Sequence, residues 1–250
     1  MSQPNPHNTL PGEAMNLPGD TYGTAESLPA GGMKVLLTGA TGMVGEGVLH
    51  ECLIHPAVQE VLIVNRKPSG LSHPKLKEIV HDNFFDLAPI EDQLKGYTAC
   101  FFCLGVSSVG MNEADYTRVT YELTLNFART MSRLNPEMIF CYISGAGTDG
   151  TTQGRSMWAR VKGKTENHLM SLPFGKAYMF RPGFLRPTPG LKNTLAMYKY
   201  INWMYPVMLL LAPKYVCTLK ELGRAMIHAV IKRPSRSVQE VKRIVLLASA

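Results

Sequence analysis

A glycine-rich bend joins the first apolar run of this chain to its first amphipathic stretch. Met33–Thr38 (MKVLLT) runs directly into Gly39-Ala40-Thr41-Gly42-Met43-Val44-Gly45, a GxxGxxG pattern. Glycine there permits a tight strand-to-helix turn, close backbone approach to a ligand, and close packing of helix on strand. The helix that follows offers free N–H groups and the positive end of its dipole, which suits phosphate. The pattern is weak alone, but its surroundings are those the chemistry requires. A strand precedes it, an amphipathic stretch (Met43–Ile54) follows, and a second apolar strand (Val61–Val64) comes about 20 residues on. Gly39, Thr41, Gly42, Met43, Val44 and Gly45 are therefore expected to cradle the pyrophosphate of a dinucleotide.

The rest of the chain reads as the same kind of unit repeated. Apolar strands are expected at Leu76–Val80, Ala99–Leu104, Met138–Ile143 and Lys176–Phe180, with helices at Glu113–Leu134 and Ser156–Leu172 between them. Short buried strands alternating with helices predict an α/β fold, a doubly wound parallel sheet of the Rossmann type covered on both faces. Residues 1–32, rich in Pro, Gly, Asn and Ser, read as a flexible leader. Residues 33–183 read as the nucleotide-binding domain, and 184–250 as a small C-terminal helical substrate lobe closed by helices at Leu219–Ile231 and Val238–Leu247.

Composition excludes several alternatives. With 45% apolar and 18% charged residues the chain is not globally disordered. Five cysteines without framework spacing exclude a disulfide scaffold and point to a reducing, cytoplasmic setting. Cys100 and Cys103 lie in one strand at odd spacing, so their side chains face opposite ways and do not suit a metal or redox pair. The histidines show no ligand spacing, and no metal site is expected. Charge is uneven: residues 151–250 carry 17 Lys or Arg against 3 Asp or Glu, whereas residues 1–150 carry 9 against 16. Such a basic half attracts phosphates or anionic surfaces, or is simply a solvated face; no nucleic-acid-binding signature accompanies it. The most apolar stretch, Ile201–Pro213, is too short to span a bilayer. It suits a cleft wall, or, with the aromatic and lysine residues around it at 195–214, a peripheral membrane contact.

The second strand ends Val64-Asn65-Arg66-Lys67, where a site for NAD would place Asp or Glu against the ribose hydroxyls. Arg66 suits a 2′-phosphate, and the reading favours NADP over NAD. Asp82 and Asn83, after the third strand, are placed to meet the adenine edge. Leu104 and Gly105, after the fourth, bring backbone alongside the cofactor.

Taken in order, TGATGMVG, FFCLGVS, RVTYELTLNFA, CYISGAG, WARVKGKTE and FRPGFLRP resemble the motifs of the short-chain dehydrogenase/reductase superfamily, in its extended or atypical branch, over roughly residues 33–190. Within that branch the chain is most similar to the Tat-interacting-protein-like NADP-binding proteins. The resemblance implies a catalytic Ser at Ser144 and a Tyr-x-x-x-Lys whose lysine is Lys162. The tyrosine position holds Trp158. It also implies that Arg181-Pro182-Gly183-Phe184 lies against the nicotinamide, with Phe184 walling the cleft. An indole donates one hydrogen bond and cannot shuttle a proton near neutral pH. Three readings stay open: Lys162 holds the ribose and no chemistry occurs; Tyr142, two residues before Ser144, replaces the phenol; or the acceptor needs no protein acid, as with a quinone. Glu166, at i+4 from Lys162, is expected to pair with it. The functional readings are an oxidoreductase acting on a small-molecule acceptor, a non-catalytic NADP-binding sensor or scaffold, and a nucleotide-sugar epimerase-like enzyme, which Trp158 disfavours.

Overall fold

The computed structural model describes residues 32–193 and 215–249. Its strands are β1 (Met33–Thr38), β2 (Val58–Asn65), β3 (Leu76–Val80), β4 (Ala99–Phe102), β5 (Ile139–Ile143), β6 (Lys176–Arg181), β7 (Phe184–Arg186), β8 (Val216–Thr218) and β9 (Val238–Glu240). Its helices are α1 (Met43–Ile54), α2 (Glu113–Thr117), α3 (Leu123–Leu134), α4 (Met157–Ser171), α5 (Leu219–Lys232) and α6 (Val241–Ser249). Seven strands form one sheet in the order β3-β2-β1-β4-β5-β6-β9, every neighbouring pair parallel. β7 and β8 make a separate parallel pair.

The strands are apolar without alternation because both faces are covered. Val35, Leu37, Ile63, Phe101 and Tyr178 pack under α1, α5 and α6. Leu36, Leu62, Phe102, Phe140 and Met179 pack under α3 and α4. Strand order reverses at β1: β2 and β3 lie to one side, β4 to β6 to the other. The loops leaving β1 and β4 therefore part at the carboxyl ends of the strands, and a crevice opens there.

Three expectations need correction. Val238–Leu247 is not one helix: Val238–Glu240 pairs with Met179–Arg181 as β9, and the helix starts at Val241. A short apolar run gives the same periodicity for either state, and here the open edge of β6 decides it. Glu113–Leu134 is not uniformly α-helical, because Arg118–Glu122 forms a π turn between α2 and α3. That turn buries Thr120, whose Oγ1 has no partner among the described residues. Sequence periodicity also missed β7, β8 and the 3-10 helix Ala88–Leu94. The leader through residue 31, and the whole apolar stretch at 195–214, lie outside the described residues.

Where α1 meets α5, His55 and His228 sit edge to face with ring centroids 5.8 Å apart. Burial, His228, Arg224 and Lys75 hold His55 below the ordinary imidazole value, against Glu51. Burial, Lys232 and Arg224 do the same to His228, against its bond to the Leu247 carbonyl. A histidine depressed in the folded state binds its proton first in the unfolded chain. Stability is thus expected to be flat above pH about 6.5 and to fall as the pH drops below it. Urea titrations across pH 5–8 check this; His228→Gln should flatten the slope, and an unchanged slope would contradict the assignment.

Candidate functional site

The glycine bend is built by close contacts. Gly39 has φ +76°, and a Cβ on it would lie 2.8 Å from the Cys103 carbonyl. Gly45 sits tighter still, since a Cβ there would lie 2.0 Å from the Gly39 oxygen. The Gly42 amide donates to Gly39 O at 2.9 Å and caps the entry to α1. Thr38 fastens the neighbouring strand end: the Cys103 amide donates to its carbonyl and the Leu104 amide to its Oγ1.

A cavity of about 620 Å³ opens beside this bend, lined by Gly39, Thr41, Val64, Asn65, Arg66, Lys67, Asp82, Phe84 and Leu104. Its size and its concentration of backbone amides and cations fit a nucleotide. Arg66 and Lys67 are exposed, and neither forms an ion pair among the described residues. Of the residues expected at the adenine edge, Asp82 lines the cavity. Asn83 instead folds back, its Oδ1 accepting from the Phe85 amide. Met43 and Val44 pack into the core under α1, so only their backbone is available to a phosphate. Gly105 faces open space.

At the far end of the crevice, α4 brings Trp158, Lys162 and Glu166 past the end of β5. Lys162 Nζ donates to the carbonyls of Ile143 (3.1 Å) and Ser144 (2.9 Å). Burial lowers its pKa to about 8, against the pull of Glu166. The expected Lys162–Glu166 pair does not form. Glu166 is fully buried and takes Arg181 instead, through Nε at 3.0 Å and Nη2 at 2.5 Å. Arg181 Nη1 also reaches Glu240 on β9 at 3.1 Å. The Arg181 side chain is thereby held in the scaffold, which leaves the backbone of the turn it begins as the part expected against the nicotinamide. The reason is charge matching: Glu166 is one of three acids in a half with 17 cations, and the packing of α4 on β6 places it opposite Arg181.

The two hydroxyls singled out from sequence are also accounted for. Ser144 Oγ lies 2.5 Å from Glu166 Oε1 and 3.1 Å from Phe180 O. Both neighbours are acceptors, so the serine hydrogen is committed to them. Tyr142 lies under α4, 1% exposed, with Lys162 Nζ 5.4 Å from its ring centre. Burial pushes its phenol well above the ordinary range. The Trp158 ring packs over the β5–α4 loop, 3.6–3.8 Å from where Cβ atoms on Gly147 and Gly145 would sit. The Pro182–Phe184 turn is laced to the same loop, its Pro182 carbonyl accepting from the Ala146 amide. Cys100 and Cys103 pack toward opposite faces, as their spacing requires. Among the described residues no group of three or more His, Cys, Asp or Glu could hold a metal.

One residue near the site was missed. Glu46, in the first turn of α1, accepts from the backbone amides of Lys192 (2.8 Å) and Asn193 (2.7 Å). It ties the segment after β7 to the phosphate helix. A contact between residues so distant in the chain leaves no local sequence signal.

The sequence pattern of the NAD dependent epimerase/dehydratase family matches residues 35–160, from β1 to the start of α4. The chain belongs to this family. Its similarity to Protein FMP52-1, mitochondrial, of Scheffersomyces stipitis is 26% identity over 178 residues, covering 68% of this chain and 77% of that protein. Protein HTATIP2 of Rattus norvegicus is 24% identical over 154 residues, covering 61% and 62%. These relatives bear out the resemblance to the atypical short-chain branch. Among solved structures, an oxidoreductase of the short chain dehydrogenase/reductase family from Burkholderia thailandensis superposes with TM-score 0.62 at 14% identity, covering 80% of this chain and 85% of that one. MoeE5 in complex with UDP-glucose and NAD gives 0.60 at 16%, covering 86% and 81%. At these identities the structures speak for the fold. No described helix is long and apolar enough to cross a membrane.

Proposed function

We propose that this family member binds NADP(H) and passes hydride to an acceptor that needs no proton from a protein phenol, such as a quinone-like or lipophilic molecule. The observation that carries the reading is the contrast between the two ends of the crevice. The nucleotide end has its glycine bend, cavity and free cations. The reacting end carries Trp158 at the tyrosine position, holds Tyr142 in the core, and commits the Ser144 hydrogen to Glu166 and Phe180.

In this reading the backbone of Gly39–Gly45 holds the pyrophosphate, Arg66 and Lys67 the 2′-phosphate, and Asp82 and Leu104 the adenine side. Lys162, charged below pH about 8, binds the nicotinamide ribose hydroxyls while its two backbone carbonyls fix the ammonium. Pro182 and Gly183 offer backbone to the carboxamide, and Phe184 opens the substrate lobe. A bound dihydronicotinamide supplies a hydride at C4. Trp158 presents an aromatic wall to a flat acceptor. Protonation of the product then falls to water. The proposed site of action is the cytoplasm, and imaging of the full tagged chain separates this from the mitochondrial placement in the FMP52 name.

The Ser144–Glu166 bond also favours a second reading, a non-catalytic NADP(H) sensor or scaffold. Stopped-flow oxidation of NADPH against panels of quinones and simple carbonyls separates the two. Turnover with quinones and not with carbonyls is expected; tight binding with no turnover on either panel would overturn the enzymatic reading. Trp158→Tyr places a phenol beside Lys162, and carbonyl reduction should rise by on the order of tenfold to a hundredfold. That is the low end of acid catalysis, because the serine hydrogen stays on its present acceptors.

A further inference from the structure

Strand β2 ends without an acid, yet the structure brings one to the same place from the side. Glu78 on β3 lies next to the end of β2, in register with Ile63 two residues before Asn65. Its Oε1 accepts from Asn65 Nδ2 at 2.9 Å and from the Ser69 amide at 2.8 Å. Asn65 is 3% exposed and lines the nucleotide cavity beside Arg66 and Lys67. The carboxylate is thus held one hydrogen bond from the cavity wall, pinned on both sides by the β2 end and the loop after it. Its nearest cation along β3, Lys77, is engaged by Glu60 at 2.7 Å and does not neutralise it.

We propose that Glu78 is a specificity-determining residue for the cofactor: it supplies laterally a negative charge that opposes the 2′-phosphate, so that the preference for NADPH over NADH is held down. This deepens the cofactor reading above and rests on it. Arg66 and Lys67 favour the dianionic 2′-phosphate, and Glu78 opposes it. A free 2′-hydroxyl feels neither strongly. Preference for NADPH is therefore the difference between two opposed charge terms acting over several ångströms of partly solvated space, each changing affinity by several-fold.

The test is calorimetric titration of NADPH and NADH into the unaltered protein, Glu78→Gln and Arg66→Ala. Glutamine keeps an acceptor oxygen for Asn65 and Ser69 and removes only the charge, so the fold should persist; circular dichroism checks that it does. Glu78→Gln is expected to tighten NADPH about fivefold and to change NADH less than twofold, with the gain shrinking as salt rises. Arg66→Ala should move the ratio the other way. An unchanged NADPH-to-NADH ratio in Glu78→Gln, with both nucleotides still binding, overturns this inference alone. Binding of neither nucleotide by the unaltered protein overturns the cofactor reading and this inference with it.

Discussion

Glu166→Ala is expected to cost about 3 kcal/mol of folding stability or more, the usual consequence of stripping one partner from a buried ion pair. The side chain of Glu166 is 1% exposed and that of Arg181 16%. Among the described residues, removing the carboxylate leaves the guanidinium with Glu240 alone, whose own side chain is half exposed. It also releases the Ser144 hydroxyl from its shortest partner and unties α4 from β6. Chemical denaturation should show a lower midpoint with an unchanged slope. Glu240→Ala, by contrast, should cost less than about 1 kcal/mol, because that pair is screened by water. Adding Arg181→Met to Glu166→Ala should recover part of the loss, since it removes the guanidinium that the single substitution leaves buried without its main partner. A Glu166→Ala variant as stable as the parent would mean that α4 is held by packing alone.

Gly45→Ala is expected to abolish nucleotide binding, a loss of a hundredfold or more in affinity. The added methyl would lie 2.0 Å from the Gly39 oxygen and 2.5 Å from its carbonyl carbon, so backbone must give way. Either α1 lifts from β1 or the bend opens, and in both cases the amides that face a pyrophosphate are displaced. Gly105→Ala is the matched control for folding alone, because its backbone is itself expected alongside the cofactor. It lies on the neighbouring loop, and a Cβ there meets nothing within 4 Å.

Much of this arrangement was legible from residue order. The bend, the central strands and the covering of both sheet faces follow from local apolar runs and glycine spacing, which need no knowledge of distant contacts. The end of the sheet was not legible in the same way. Val238–Glu240 becomes a strand because β6 has an open edge, a property of the assembled sheet and not of the segment. Partners of charged groups were hardest. Helical spacing offered Lys162 to Glu166, but the stronger cation, Arg181, arrives from β6, and Lys162 is satisfied by carbonyls at the end of β5. Glu46 and Glu78 act across the fold for the same reason. The family resemblance puts Trp158 where a tyrosine is expected, but only the packing shows that Tyr142 is buried under α4.

Whether the glycine bend holds a dinucleotide decides the function. Titration calorimetry of NADPH into the unaltered protein and into Gly45→Ala tests this most directly. A saturable heat in the first, lost in the second while circular dichroism shows the sheet intact, is the predicted result. No heat in the unaltered protein, or equal affinity in the two, would contradict it.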